Sequence, residues 1–312
     1  MIENGPEKWL KLRITAPLEM ADAIGNFLEE TGASGVFSES LLPPGGNELP
    51  EPAETEDVFA FFPVDVRMDK RVANVRKYLK SLEDIFPGCA APALETEVVV
   101  DPDWGEQWKK YFKPIRACNN IVVKPTWERY TPASRDIVVE IDPGMAFGTG
   151  QHASTRMCME AIEEILLKDR SVSGWKVLDV GCGTGILGIT AAKLGAQDVV
   201  CVDNDPKATQ IAEENARLND VDLRLLNVDA AQIRDQRNLI IANLTAKLLV
   251  KLHDHFVKLL LPEGYMILSG IIEQDMQTIE EHYCALPLEL HRVLREKEWV
   301  CYILKRKPSD AA

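Results

Sequence analysis

The run Val177-Leu178-Asp179-Val180-Gly181-Cys182-Gly183-Thr184-Gly185 carries the densest chemical signal in this sequence. A short apolar strand leads into glycines spaced by two, and an apolar helix follows. Glycine accepts positive φ and lets a ligand approach the backbone, while a helix start offers unpaired N–H groups. Asp203 ends the next predicted strand, 22 residues beyond Gly181. A carboxylate there can accept from both hydroxyls of a ribose. A tight strand-to-helix turn with a capping aspartate would use the same residues for structure alone.

The kind of nucleotide is the harder question. Gly183-x-Gly185-x-x-Gly188 also satisfies the dinucleotide pattern, so a nicotinamide cofactor is formally open. Asp179 argues otherwise. It puts a carboxylate inside the strand, where the ammonium of an amino-acid cofactor can satisfy it and a dinucleotide has no cation to offer. Some thirty residues upstream lies a second glycine-rich segment, Ile141-Asp142-Pro143-Gly144-Met145-Ala146-Phe147-Gly148-Thr149-Gly150-Gln151-His152-Ala153-Ser154-Thr155. Phe147, Gly148, Thr149 and Gly150 are candidates for a second backbone approach to ligand. His152 and Thr155 are candidates by position, and a surface turn is the competing reading.

Alternating helices and strands must hold these loops. Helices are predicted at 156–167, 186–194, 206–218, 246–260 and 273–283, and strands at 176–180, 198–202, 223–227, 239–242 and 265–269. Leu288–Arg295 and Trp299–Lys305 read as a closing hairpin at the edge of the sheet. The expected fold class is α/β, a doubly wound, mostly parallel, seven-stranded Rossmann-like sheet with an antiparallel edge. The first hundred residues read as two βαβ units, a smaller α+β ferredoxin-like domain. Domains are therefore expected at 1–100, with a connection at 101–117, and at 118–312. The connection carries a short helix with Trp104 and Trp108 four apart.

Composition narrows the function classes. The 312 residues carry 49 acidic and 35 basic side chains, a net charge of −14. Residues 1–100 hold 18 acidic and 9 basic groups, a net −9. A strong duplex binder needs a basic face, so direct sequence-specific nucleic-acid binding is not expected. The acidic first domain suits either a basic partner or simple solvation. No apolar run approaches the ~18–20 residues that span a bilayer. The first residues lack a basic and then apolar leader, so a cytoplasmic location is expected. Seven scattered cysteines without a Cys-x-x-Cys spacing disfavour a zinc ribbon or dithiol redox site and suit reduced, mostly buried thiols. His253 and His255, two apart on a helix, do not face one site. No metal is expected.

With the upstream segment, His152, Thr155 and the glycine loop in view, the chain resembles the PrmA-type methyltransferases of the large-subunit ribosomal protein L11. The Trp104–Pro114 run and Lys297-Glu298-Trp299 resemble theirs too. The resemblance implies S-adenosyl-L-methionine as cofactor and methyl transfer to lysine side-chain and N-terminal amines of that basic protein. It puts cofactor contacts at Thr155, Gly181, Asp203 and Asn243, beside Asp179, Gly183 and Gly185. Gln151 stands where Thr is usual, and Asn243-Leu244-Thr245-Ala246 replaces the commoner Asn-Ile-Leu-Ala.

On this reading Asn243, at the carboxyl edge of an apolar strand, is the catalytic candidate. Its side-chain carbonyl, with the backbone carbonyl of Leu244, can accept N–H bonds and aim a nitrogen lone pair at the methyl group. Capping the next helix is its competing role. Asp229 is a candidate for the adenine amino group or a solvated turn carboxylate. A monomer is expected. The alternatives are a related methyltransferase of another protein amine or nucleic-acid base, a non-catalytic cofactor-binding ribosome-assembly module, and a nicotinamide oxidoreductase.

Overall fold

Strand β1 (Lys8–Pro17) alternates strictly, burying Leu10, Leu12, Ile14 and Ala16 on one face. That period builds the first sheet in the computed structural model, which describes residues 8–33, 35–38, 55–100, 113–142, 150, 152–169, 172 and 174–308. The chain divides into two units, Met1–Lys113 and Pro114–Ala312.

In the first unit β1 is followed by α1 (Leu18–Glu30), β2 (Gly35–Ser38), β3 (Thr55–Pro63), α2 (Met68–Ile85) and β4 (Ala93–Val100). The sheet order is β2-β3-β1-β4, with every pairing antiparallel. This is the expected ferredoxin-like arrangement of two helices on one four-stranded sheet. Met20, Ile24 and Leu28 of α1 and Val75, Leu79 and Leu82 of α2 pack on Leu12, Ile14, Val58, Ala60 and Phe62. Each such fully buried aliphatic side chain contributes roughly 1.5–3 kcal/mol. Phe27 and Tyr78 stack between the helices with ring centroids 3.9 Å apart.

The second unit begins with a small sheet of β5 (Ile115–Arg116), β6 (Ile121–Lys124) and β7 (Ile137–Glu140). Ile115–Arg116 pairs with β6 and was not foreseen as a strand; a two-residue strand leaves no periodicity to read. The main sheet has seven strands in the order β10-β9-β8-β11-β12-β14-β13. These are β8 (Lys176–Val180), β9 (Asp198–Asp203), β10 (Arg224–Asn227), β11 (Arg237–Asn243), β12 (Leu260–Ile272), β13 (Leu288–Glu296) and β14 (Trp299–Arg306). The β8 to β12 pairings are parallel, and the hairpin β13–β14 adds an antiparallel edge, as predicted.

Among the described residues α3 (Ala153–Lys168) precedes β8, and α4 (Ile186–Lys193), α5 (Pro206–Leu218), α6 (Ala246–Leu259) and α7 (Met276–Tyr283) lie between strands of this sheet. Strands β8 and β11 are buried on both faces, which is why they read as continuous apolar runs. One face packs with α3 and α4, the other with α6 and α7. No described helix is long and apolar enough to cross a membrane. All seven cysteines are free, and Cys158, Cys182, Cys201 and Cys301 are buried.

Candidate functional site

The carboxyl ends of β8, β9 and β11 open on one side of the sheet. Gly181, Gly183 and Gly185 all take positive φ, at 68°, 53° and 80°. The turn is closed by Gly181 N–H donating to the Val202 carbonyl at 2.8 Å and Gly185 N–H to Cys182 at 2.8 Å. Gly185 then caps α4 in the left-handed conformation. The positive φ is what requires glycine at 181; a β-carbon there would also lie 2.5 Å from Leu244 Cδ2, a side-chain tip that would have to turn aside. The same contact shows that the glycine loop and the Asn243-Leu244 segment share one wall.

Asp203 sits half-exposed at the end of β9, accepting from Gly183 N–H at 3.1 Å and Asp205 N–H at 3.0 Å. Each carboxylate oxygen keeps a lone pair after those bonds, so a vicinal diol still has acceptors. Asp179 is different. Its side chain points from β8 into the apolar layer beneath α4, 1% exposed. Oδ2 accepts from Gly188 N–H at 3.0 Å, while Oδ1 is buried with no hydrogen-bond partner. Burial, helped by the charge of Asp203 and opposed by the Gly188 bond, pushes this carboxyl up to about 7. An unpartnered buried acceptor is costly unless something fills it. A cationic ammonium group is the chemistry that fits.

Gly188 is part of this arrangement. A β-carbon there would meet Cys201 Sγ at 2.3 Å and Asp179 Oδ2 at 3.4 Å. Gly188→Ala is therefore expected to destabilise the fold by about 1–3 kcal/mol through overpacking, measurable as a lowered denaturation midpoint with an unchanged slope.

Asn243 ends β11, where Ala242 pairs with Val180 of β8 and Asn243 with Ser269 of β12. Its Nδ2 donates to Ser154 Oγ at 3.1 Å and reaches Thr155 Oγ1 at 3.4 Å. Both hydroxyls lie in the first turn of α3 and are 1% exposed. The N-cap position of α6 falls on Thr245, two residues on, which makes no side-chain capping bond. Leu244 N–H donates to the Ser269 carbonyl at 3.0 Å, which fixes the segment against β12.

The structure thus brings Thr155, Asp179, Gly181, Gly183, Gly185, Asp203, Asn243 and Leu244 to one edge of the sheet. Gly150 is buried at φ 80°, against Ile186 and Val123. Asp229 is exposed and caps the turn Ala230–Gln232, accepting from Ala231 N–H at 2.8 Å. Phe147, Gly148 and Thr149, like Gln151, Trp104 and Trp108, lie outside the described residues. Sequence reasoning missed Ser154 as a partner of Asn243, and it missed Ser269, whose Oγ donates to the Ser154 carbonyl at 3.2 Å. A lone serine in the apolar run of β12 was the available signal.

Comparison with known proteins accords with this geometry. Residues 8–307 match the family model for Ribosomal protein L11 methyltransferase (PrmA). The chain belongs to that family. A ribosomal protein L11 methyltransferase from Citrifermentans bemidjiense is 38% identical over 310 residues, covering 96% of this chain and 98% of that one. The one from Geotalea uraniireducens is 35% identical over 304 residues, covering 94% and 96%. A crystal structure of ribosomal protein L11 methylase from Lactobacillus delbrueckii subsp. bulgaricus superposes with a TM-score of 0.58 at 32% identity, covering 63% of this chain and 100% of that one. Family membership sets aside the nicotinamide reading of the glycine pattern.

Proposed function

We propose that this protein methylates amines of ribosomal protein L11, using S-adenosylmethionine as donor. The observation that carries the reading is the buried, unpartnered Asp179 Oδ1 beside a positive-φ glycine turn, in a chain that matches the family over residues 8–307. Asp179 would hold the ammonium of the cofactor's amino-acid end, and Asp203 its ribose hydroxyls. The backbone of Gly181, Gly183 and Gly185 would line the approach. Thr155 and Gly150 would close the opposite side, and Asp229 would meet the adenine amino group; Phe147, Gly148 and Thr149 are proposed as cofactor contacts on the family resemblance alone. When bound, S-adenosylmethionine supplies an electrophilic methyl on a sulfonium centre.

The protein's own task is then orientation. A free lysine titrates near 10.4, so the site must favour the neutral amine. Burial works in that direction. Asn243 Oδ1 and the Leu244 carbonyl accept N–H bonds from that amine and aim its lone pair. Positioning of this kind supplies most of the rate in a reaction that needs no covalent help. No general base is assigned in this scheme, and the released proton passes to water.

The first unit, with its acidic surplus, recognises the basic substrate, and the enzyme works as a monomer in the cytoplasm. Reversing Glu83, Asp84, Glu95 and Glu97, all exposed, to lysine is expected to raise KM for ribosomal protein L11 about tenfold. The cofactor Kd should stay unchanged, and an unaltered KM would reduce the acidic surplus to solubility. The reading as a whole is tested by incubating total ribosomal proteins with the enzyme and labelled S-adenosylmethionine. Label is expected on L11, and label confined to RNA or to another protein would point to the related-methyltransferase alternative.

A further inference from the structure

We propose that His152 and Ser154 are positioning residues that decide which edge of the Asn243 amide faces the incoming amine. The inference rests on the reading of Asn243 as the group that accepts from that amine. His152 caps α3, its Nδ1 accepting the Ser154 backbone N–H at 3.2 Å. A ring nitrogen that accepts carries no proton, so the hydrogen of this neutral imidazole is on Nε2. Ser154 Oγ lies 2.7 Å from the same Nδ1, so the hydroxyl proton points at the one lone pair that the backbone N–H shares at longer range.

That commitment propagates. A serine hydroxyl has one proton to give, and once it is given to His152 the oxygen meets its other neighbour with lone pairs only. The Asn243 group that faces it must then be a donor, and Nδ2 is the atom found there, at 3.1 Å. Oδ1 is left on the other edge of the amide, free of this pair of hydroxyls. Without the relay the Ser154 hydroxyl could donate to Asn243 instead. The amide could then turn over and present N–H groups where an acceptor is required.

The surroundings keep the relay rigid. Trp299 meets the His152 ring edge-on, with centroids 4.7 Å apart and planes at 72°. Ser269 Oγ donates to the Ser154 carbonyl at 3.2 Å, and Ser154 itself is 1% exposed. Helix capping alone explains the bond from the Ser154 backbone to His152. It does not require the Ser154 side chain, and this separates the two roles.

Ser154→Ala keeps the cap and removes the relay. Its kcat is expected to fall about tenfold, the equivalent of one lost hydrogen bond, with KM for L11 and the cofactor Kd within about twofold of wild type. His152→Ala should fall at least as far, and His152→Asn, whose Oδ1 accepts from the same place, should recover most of that loss. Nitrogen-15 NMR of the imidazole in the ligand-free protein should show His152 with its proton on Nε2. An unchanged kcat in Ser154→Ala alongside a slow Asn243→Ala overturns the relay while sparing the role of Asn243. A proton on Nδ1, or a His152→Asn as slow as His152→Ala, overturns it as well. If Asn243→Ala turns over normally, the reading beneath the relay fails and the relay with it.

Discussion

Asn243→Ala should lower turnover about a hundredfold, the scale seen when one preorganised electrostatic partner is removed from an acyl-transfer site. Alanine removes the acceptor that aims the amine and leaves the glycine turn intact. The variant's main chain still pairs with Ser269, and Leu244 still covers Gly181. Cofactor affinity should therefore weaken by no more than about fivefold, so that the loss falls on kcat. Isothermal calorimetry for the cofactor and single-turnover methyl transfer separate these terms. A non-catalytic binding module would show no such split, because Asn243 would then do nothing that binding does not report.

The second large effect concerns Asp179, and it runs in opposite directions for stability and binding. A carboxyl raised from 3.8 to about 7 by burial binds a proton in the folded protein that the unfolded chain has already lost. Stability of the ligand-free protein therefore falls as pH rises from about 4 to about 7, and levels off above. Asp179→Asn is nearly isosteric and has no charge to desolvate. At pH 8 it should be the more stable protein by about 2 kcal/mol, or roughly 4–8 °C in Tm, and the advantage should vanish near pH 4. Its cofactor affinity should nevertheless fall about a hundredfold, since the charge-assisted bond to an ammonium is gone and an amide N–H can take its place.

The same group makes binding pH-linked. At pH 6 the wild-type carboxyl is largely protonated in the free protein, and a bound ammonium would hold it ionised. Calorimetry in buffers of different ionisation enthalpy should record proton release on cofactor binding at pH 6, little at pH 8.5, and none from this group in Asp179→Asn. Release that persists in the variant would assign the proton to another group.

Much of this site was legible in the sequence, for identifiable reasons. Strands β8 and β11 are covered on both faces, so they appear as unbroken apolar runs and the residues that end them stand out. Asp179 was conspicuous because a carboxylate interrupts such a run. The glycines were conspicuous because positive φ at 181, 183 and 185 admits little else. What could not be read was pairwise contact. Ser154 and Asn243 are 89 residues apart, and neither serine nor asparagine announces its partner.

Boundaries slipped where the chain departs from regular geometry. The strand is expected at 265–269 after a helix ending at 260, and Glu263 between them takes φ of 60°. Yet Leu260 pairs with Arg237, and the ladder resumes at Tyr265 opposite Leu239 after a register shift. A single strand, β12, therefore runs through a segment whose composition predicts its start. The helix predicted from Glu273 begins instead with a 3-10 turn at Glu273–Asp275, and its α-helical part starts at Met276.

The most direct test of the account is intact-mass and peptide mapping of purified ribosomal protein L11 after incubation with S-adenosylmethionine and either wild-type enzyme or Asn243→Ala. Wild type is expected to add whole methyl groups at lysine side chains and the N-terminal amine, and Asn243→Ala to leave L11 nearly unmodified over the same time while still binding the cofactor. An L11 that stays unmodified with wild-type, cofactor-bound enzyme would contradict the account.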